Sequence, residues 1–252
     1  MIQGLYAAAN GMMAVEDRQA VIANNIANVT TPGFKRQVAV QQGFYEQFFG
    51  KMRSAAAFNM EKAPGGGVKV VQTFTQFVAG ALTQTGNPLD LALLGPGFLR
   101  VDTPEGERFT RNGRLSIGAA GELVTDQGHR VLGDDGGVID VSGGLIEIDE
   151  TGTVSVNGEV RGQLGLVEFE DRHMLTRAGY TLYAASQAAL ARSNPATNTT
   201  VSSGGIEMSN VQLPSEMVQM MAALRAYAAN QRVLSAIDET TSRLIDQVGA
   251  PS

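Results

Sequence analysis

The sequence predicts an α+β protein. N- and C-terminal α-helices pair as a coiled-coil-like layer, and a central antiparallel all-β domain, barrel or sandwich, lies between them in the chain. Two observations carry this reading. Apolar residues recur at helical spacing in 1–30 and again in 213–248. The roughly 180 residues between them are short alternating runs broken by glycine and turn-forming pairs.

At the front, Leu5, Ala8, Met12, Val15, Ile22, Ile26 and Val29 fall on the a and d positions of one heptad frame, broken by Gln19. The helix is predicted to end near Val29. Thr31 precedes Pro32 and is pushed out of the α region, while Gly33 can take a positive φ, and Phe34 re-anchors the chain. Residues 37–49 are ambiguous, with Phe44, Tyr45, Phe48 and Phe49 at helix-compatible spacing. The stretch 51–67, ending Pro64-Gly65-Gly66-Gly67, reads as a flexible connection, and a strand pair with Val68, Val70, Phe74 and Phe77 as apolar positions follows. From Leu89 to Tyr183 strands are expected at Phe98–Val101, Leu115–Ile117, Val138–Val141, Leu145–Ile148, Thr153–Val156 and Leu164–Phe169. Asn157-Gly158 between two of them demands a type I′ hairpin, because both central residues need positive φ. Residues 186–205, rich in Ser, Thr, Asn and Ala, read as a return linker. The last helix begins near Pro214, which a first turn tolerates, and carries Met217, Met220, Leu224, Tyr227 and Leu234. Ile237, Leu244, Ile245 and Val248 continue that stripe with a slight drift of face. The expected divisions are 1–36, 37–80, 81–185, 186–212 and 213–252.

Such stripes need cover. An isolated helix of this length is marginal in water, and a buried Leu, Ile or Met stabilises by about 1.5–3 kcal/mol only when something packs on it. The cover is either the other end of the same chain or the ends of neighbouring copies. In the second case both termini are expected to stay largely disordered in the monomer and to fold on assembly.

Composition removes several functional classes. The net charge of −6 comes without a basic patch, and 6% aromatics with no Trp offers few stacking platforms, which argues against nucleic-acid binding. With no cysteine there is no disulfide, thiolate metal site or cysteine nucleophile. Asn10, Glu16, Asp17 and Arg18 interrupt any apolar leader, so no cleaved secretory signal is expected. No run approaches the length of a membrane span, and no membrane insertion is expected.

Chemistry is hard to place. His129 and His173 stand alone, without the spacing of a metal site or triad. Gly95-Pro96-Gly97 lacks the third glycine and following helix of a dinucleotide fingerprint. Asp134-Asp135-Gly136-Gly137 and Asp149-Glu150-Thr151-Gly152 lack the ligand alternation of calcium loops and read as turns. No catalytic, cofactor or metal residue is expected. Asn24, Asn25 and Asn28 are unusual for a helix and suggest a solvated face, hydrogen bonds to neighbouring chains or a helix cap. Met217, Met220 and Met221 suit either core filling or an adaptable packing surface.

Three stretches carry a resemblance. Asn24-Asn25-Ile26-Ala27-Asn28-Val29-Thr30-Thr31-Pro32-Gly33-Phe34-Lys35-Arg36 resembles the N-terminal signature of the bacterial flagellar rod and hook proteins. Leu89-Asp90-Leu91-Ala92-Leu93, Gly95, Gly97-Phe98, Phe109-Thr110-Arg111-Asn112-Gly113 and Gly121-Glu122-Leu123-Val124 resemble that family's central β-domain. Ile206-Glu207-Met208-Ser209-Asn210-Val211, Glu216-Met217 and Arg225-Ala226-Tyr227 resemble its C-terminal signature. Within the family, Thr85-Gly86-Asn87-Pro88-Leu89-Asp90 and Pro104-Glu105-Gly106-Glu107-Arg108 are most similar to proximal rod subunits, with distal rod subunits next. Leu94, Pro96 and Leu99 depart from the usual residues.

The resemblance implies a structural subunit of the basal-body rod, without enzymatic activity or cofactor. It would be exported unfolded by the flagellar type III apparatus to a periplasmic rod. There it would assemble helically with itself and other rod proteins, near hook and ring components, to transmit torque between motor and hook. The expected assembly residues are Leu5, Met12, Ile22, Asn25, Ile26, Asn28, Thr31, Pro32, Gly33, Phe34, Ser209, Asn210, Val211, Met217, Met220, Leu224, Tyr227 and Leu234. The alternative is a self-contained binding module whose helices pair within one chain and whose β-domain holds a ligand.

Overall fold

A computed structural model describes residues 2–43 and 68–248. They form two units. The first gathers the described residues of Met1–Ala27, Gln37–Thr75 and Gln212–Ser252; the second comprises Asn28–Arg36 and Gln76–Val211.

In the first unit an N-terminal helix spans Ile2–Ala27 and a C-terminal helix Leu213–Val248. Pro214 lies in the first turn of the latter, where its missing N–H costs nothing, and Glu216 sets a carboxylate near the positive helix end. The two helices pack on one another. A Cβ built on Gly4 would lie 3.5 Å from Ile237 Cδ1, and one on Gly11 3.1 Å from Asn230 Nδ2. Asn25 Nδ2 donates to Glu216 Oε2 at 3.2 Å. Numbers rise along one helix as they fall along the other, so the helices run antiparallel. The contacts step in whole heptads: from 4 to 11 and 237 to 230, then from 11 to 25 and 230 to 216. Ala8, Ala14, Ile22 and Ala223 are buried in this unit. Strands β1 (Gln37–Gly43) and β2 (Val68–Thr75) pair antiparallel, with a bulge between Val40 and Gln41, and pack on the N-terminal helix.

Residues 37–43, ambiguous in the sequence, are therefore strand. Their helix-like aromatics Phe44, Tyr45, Phe48 and Phe49, and the connection 51–67, lie outside the described residues. So do the side chains of Leu244, Ile245 and Val248.

The second unit is antiparallel β-structure. Its strands are β3 (Leu82–Gln84), β4 (Leu91–Leu94), β5 (Phe98–Thr103), β6 (Gly106–Thr110), β7 (Leu115–Ile117), β8 (Leu123–Thr125), β9 (Arg130–Val131), β10 (Ile146–Ile148), β11 (Thr153–Val156) and β12 (Glu159–Gln163). They continue with β13 (Leu166–Phe169), β14 (Leu175–Arg177), β15 (Leu182–Ala185), β16 (Ser193–Pro195), β17 (Thr200–Ser203) and β18 (Gly205–Glu207). The main sheet runs β14-β15-β6-β5-β9-β8-β7, with β13 joining β5 to β16. Its path ends at β14 and β7 without their pairing, so the domain is no closed barrel. A small sheet β10-β11-β12 and the pairs β17-β4 and β18-β3 complete it.

Strand β5 shows where the core sits. Phe98 points into an aromatic cluster with Phe109, Phe169 and Tyr183, whereas Leu99 and Val101 join a larger aliphatic cluster with Leu91, Leu123, Val131, Val154 and Leu164. Successive side chains point to opposite faces, so this strand is buried on both. The aromatic rings meet edge-on or tilted, with Phe109 and Phe169 centroids 4.8 Å apart.

Asn157 and Gly158 have φ of 53° and 83° and join β11 to β12, as a type I′ turn requires. Two sequence readings need correction. Val138–Val141 forms only isolated bridges, Leu132 with Val138 and Glu122 with Asp140, because its partners lie just outside β9 and β8 and no run of paired residues follows. The expected linker 186–205 instead holds a helical turn, Gln187–Leu190, and strands β16 and β17. Thr199 and Val201 are buried there; one buried face on so short a strand needs too few apolar residues to lift the composition.

Candidate functional site

The expected assembly residues divide between the two units. In the second unit, Asn28, Thr31, Pro32, Gly33 and Phe34 come together with Ser209, Asn210 and Val211. Gly33 N donates to Glu207 O at 2.8 Å, Arg36 N to Asn210 Oδ1 at 2.7 Å, and Asn210 N to Phe34 O at 3.4 Å. Asn210 Nδ2 also donates to the carbonyls of Gln76 and Val78 at 2.8 and 3.0 Å. Thr31 Oγ1 bonds Asn28 Oδ1 at 3.2 Å, closing the turn that follows the helix. Pro32 and Ser209 are buried, as is Val211. Phe34 is fully buried under the Arg177 guanidinium, which sits 4.1 Å from its ring centroid.

Gly33 is here because nothing else fits. Its φ is +68°, and a Cβ would lie 2.4 Å from the Asn112 backbone nitrogen.

Three charged residues that the sequence reading quoted only as parts of motifs meet behind this turn. Lys35 Nζ lies 2.5 Å from Glu207 Oε1, and Arg111 Nε 3.1 Å from Glu207 Oε2. All three are buried, with relative exposures of 0% for Lys35, 2% for Glu207 and 4% for Arg111. Their remaining hydrogen-bonding capacity is largely used. Lys35 Nζ donates to Val78 O at 2.9 Å, and Gly80 N donates to Glu207 Oε1 at 2.8 Å. Arg111 donates through Nη1 to Gly95 O and Gly97 O, both at 2.8 Å, and through Nη2 to Leu93 O at 2.9 Å. Burial pushes the Glu207 carboxyl up, but the charges of Arg111 and Lys35 outweigh it and hold the group below its ordinary value. Burial pushes the Lys35 ammonium down against the pull of Glu207. The one local signal was at Glu207, a lone charge between apolar Ile206 and Met208; Lys35 stands beside Arg36, and Arg111 between polar Thr110 and Asn112, so neither was marked.

In the first unit, Ile22 and Asn25 are buried, while Leu5, Met12 and Ile26 are half-buried. Asn25 binds Gln37 twice, through Nδ2 to the carbonyl at 2.8 Å and through Oδ1 from the amide at 2.9 Å. It thereby ties the helix end to β1 as well as to Glu216, which is fully buried. On the C-terminal helix Met220 and Leu234 are half-buried. Met217 and Leu224 are each 53% exposed, and Tyr227 37%. With Leu213, Val218 and Met221, Met217 and Leu224 form an apolar surface turned away from the face that carries Glu216 and Ala223, whereas Tyr227, one helical turn beyond Ala223, borders that face. Ala223 packs inward and leaves these larger side chains outside.

Among the described residues no group of His, Asp or Glu is placed to hold a metal ion, and no helix is long and apolar enough to cross a membrane.

Three family descriptions match this chain. "Flagella basal body rod protein" matches 5–35, "Flagellar hook protein FlgE/F/G D1 domain" 92–156, and "Flagellar basal body rod FlgEFG protein C-terminal" 202–247. Each region supplies one member of the buried cluster: Lys35, Arg111 and Glu207. The chain is 33% identical to the flagellar basal-body rod protein FlgG of Bacillus subtilis, over 98% of this chain and 99% of that one. It is 34% identical to FlgG of Caulobacter vibrioides over 94% and 96% of the two chains. With the flagellar basal-body rod protein FlgF of the same organism it shares 31% identity over 99% of each. A turn that ties Asn28–Arg36 to Glu207 and Asn210 within the β-unit, three matched regions in order, and likeness along nearly the whole length lead to one conclusion: this chain belongs to the flagellar basal-body rod protein family, the structural proteins of a motility organelle.

Proposed function

We propose that this chain is a non-catalytic structural subunit that polymerises helically through its terminal helices into the rod, the shaft carrying torque from motor to hook. The observation that carries the reading is the apolar surface of Met217, Val218, Met221 and Leu224, left uncovered although the two helices already pack on each other. Heptad-spaced contacts within the chain favour a coiled-coil-like layer, and the second apolar surface is suited to a neighbour's helix. The binding-module alternative gives that surface no role.

Contacts between different surfaces of successive copies generate open helices when the rotation does not close. The outer side of the N-terminal helix carries Met13, 63% exposed, beside exposed Glu16 and Asp17; the C-terminal helix carries exposed Arg225 next to Leu224. That complementarity supports docking of one copy's N-terminal helix on the C-terminal helix of the next. Passage through the flagellar type III apparatus, a periplasmic position, and hook and ring components as neighbours complete the proposal. FlgG and FlgF relatives match at similar identity, and within the rod this chain is assigned to the proximal type, with the distal rod as the runner-up.

The absence of native cysteine makes the contact directly testable. Chains carrying only Met13→Cys are co-assembled with chains carrying only Leu224→Cys. Cross-linked dimers joining the two types are expected in assembled rods, with none when Val160→Cys, on an exposed β-domain position, replaces either. Rods that contain both variants yet yield no such dimer would overturn this contact.

A further inference from the structure

Glu207 lies 172 residues after Lys35 and 96 after Arg111. Among the described residues it is the carboxylate that ion-pairs with each of them. The second unit is discontinuous, taking in Asn28–Arg36 before its main body and closing with Ile206–Val211. Two cations are thus committed to burial by segments made early, and their counter-charge arrives with nearly the last segment of the unit. A buried charge without its partner is strongly unfavourable.

The same late segment fills backbone roles that no side chain can replace. Glu207 O accepts from Gly33 N, Met208 N donates to Ala81 O, and β18 pairs with β3. Gly80 approaches Met208 so closely that a Cβ there would lie 1.9 Å from the Met208 carbonyl oxygen. This is a fitted slot, with the carboxylate of Glu207 at its end.

We propose that docking of Ile206–Val211 gates closure of the whole β-unit: the earlier segments stay open until Glu207 neutralises Lys35 and Arg111. Since synthesis delivers residue 207 late, the unit remains unfolded through most of chain production. The gate lies wholly within the second unit and does not depend on how subunits assemble.

The test is pulsed hydrogen exchange during refolding of the full-length chain, read by fragment mass spectrometry. The amides of Gly33 and Gly80 report docking, since both donate to Glu207. Those of Arg100, Leu123 and Leu132, bonded to Gly165, Ile139 and Arg100, report the sheet core. The gate predicts that both sets become protected in one phase. Core protection that precedes protection of Gly33 and Gly80 would overturn it, and this reading needs only the unaltered protein. Glu207→Gln should slow core protection at least tenfold, whereas a core that forms at the unaltered rate in that variant would equally overturn the gate.

Discussion

At the scale of single residues, the buried cluster and the aromatic core make separate predictions. Glu207→Gln keeps size and shape but leaves Lys35 and Arg111 buried without a counter-charge, so it should destabilise the second unit by about 3–5 kcal/mol in denaturant unfolding. The folded Glu207 carboxyl lies below its ordinary 4.5. Its stabilising contribution is therefore complete above that pH and is lost as pH falls through the lower folded value. Below pH 4.5 the stability of the native protein should drop more steeply than that of Glu207→Gln. An equal slope in both would mean that Glu207 is not the titrating group. Tyr183 behaves oppositely. Its hydroxyl is buried without a hydrogen-bond partner, opposite Arg177 on the neighbouring strand, and burial pushes it up to about 12. The unfolded chain ionises first as pH passes 10, so native stability falls there. Tyr183→Phe should remove about 1 kcal/mol of that fall by pH 11. At neutral pH the same change should stabilise by about 1 kcal/mol, because an unpaired buried hydroxyl is lost. Destabilisation at pH 7 would point to a partner for the hydroxyl.

At the scale of elements, the sequence located both helices and the hairpin at Asn157-Gly158, because heptad spacing and the positive-φ demand of a type I′ turn are local. It put Leu5, Met12 and Ile26 on the stripe of the N-terminal helix, whereas Gly4, Gly11 and Asn25 meet the other helix. Reading by hydrophobicity favours the largest side chains. Close approach favours the smallest, and only the partner helix decides between them. For the same reason Asn25 read as a solvated, intersubunit or capping residue, while its buried bonds run to Gln37 and Glu216. The missed cluster of Lys35, Arg111 and Glu207 is a product of topology. No local pattern says that residues so far apart in the chain share one carboxylate. The turn at Gly33, by contrast, was legible from Thr31-Pro32-Gly33, and it tests the element directly. Gly33→Ala forces a left-handed residue, at about 1–2 kcal/mol, and adds the clash with the Asn112 backbone. Unfolding of the second unit should therefore shift by more than about 2 kcal/mol. A shift under about 0.5 kcal/mol, as for an ordinary surface change, would show that the turn relaxes freely.

At the scale of the whole molecule, the alternation of helical and β-rich text gave the order of regions, but composition could not say that Asn28–Arg36 belongs with the β-unit. That assignment comes from long-range bonds such as Gly33 to Glu207 and Arg36 to Asn210. The C-terminal helix likewise has two sides that its apolar stripe had merged: a buried face that packs within the chain, and an exposed one, the surface proposed above for assembly. Adjacent residues on the C-terminal helix tell them apart. Ala223 is 3% exposed and Leu224 53%. Leu224→Asp lies on the free surface, so monomer stability should change by no more than about 0.5 kcal/mol while rod formation and swimming are lost. Ala223→Asp buries a charge in the seam of the first unit and should destabilise the helix pair itself by several kcal/mol, on the order expected for an unpaired buried ion. The diagnostic comparison is helix content by circular dichroism of each purified monomer, set beside motility of cells expressing it. Full helix content with no motility in Leu224→Asp places the defect between subunits. Normal motility in that variant would remove the exposed surface from the assembly, and equal loss of helix in both variants would mean that folding and assembly use the same face after all.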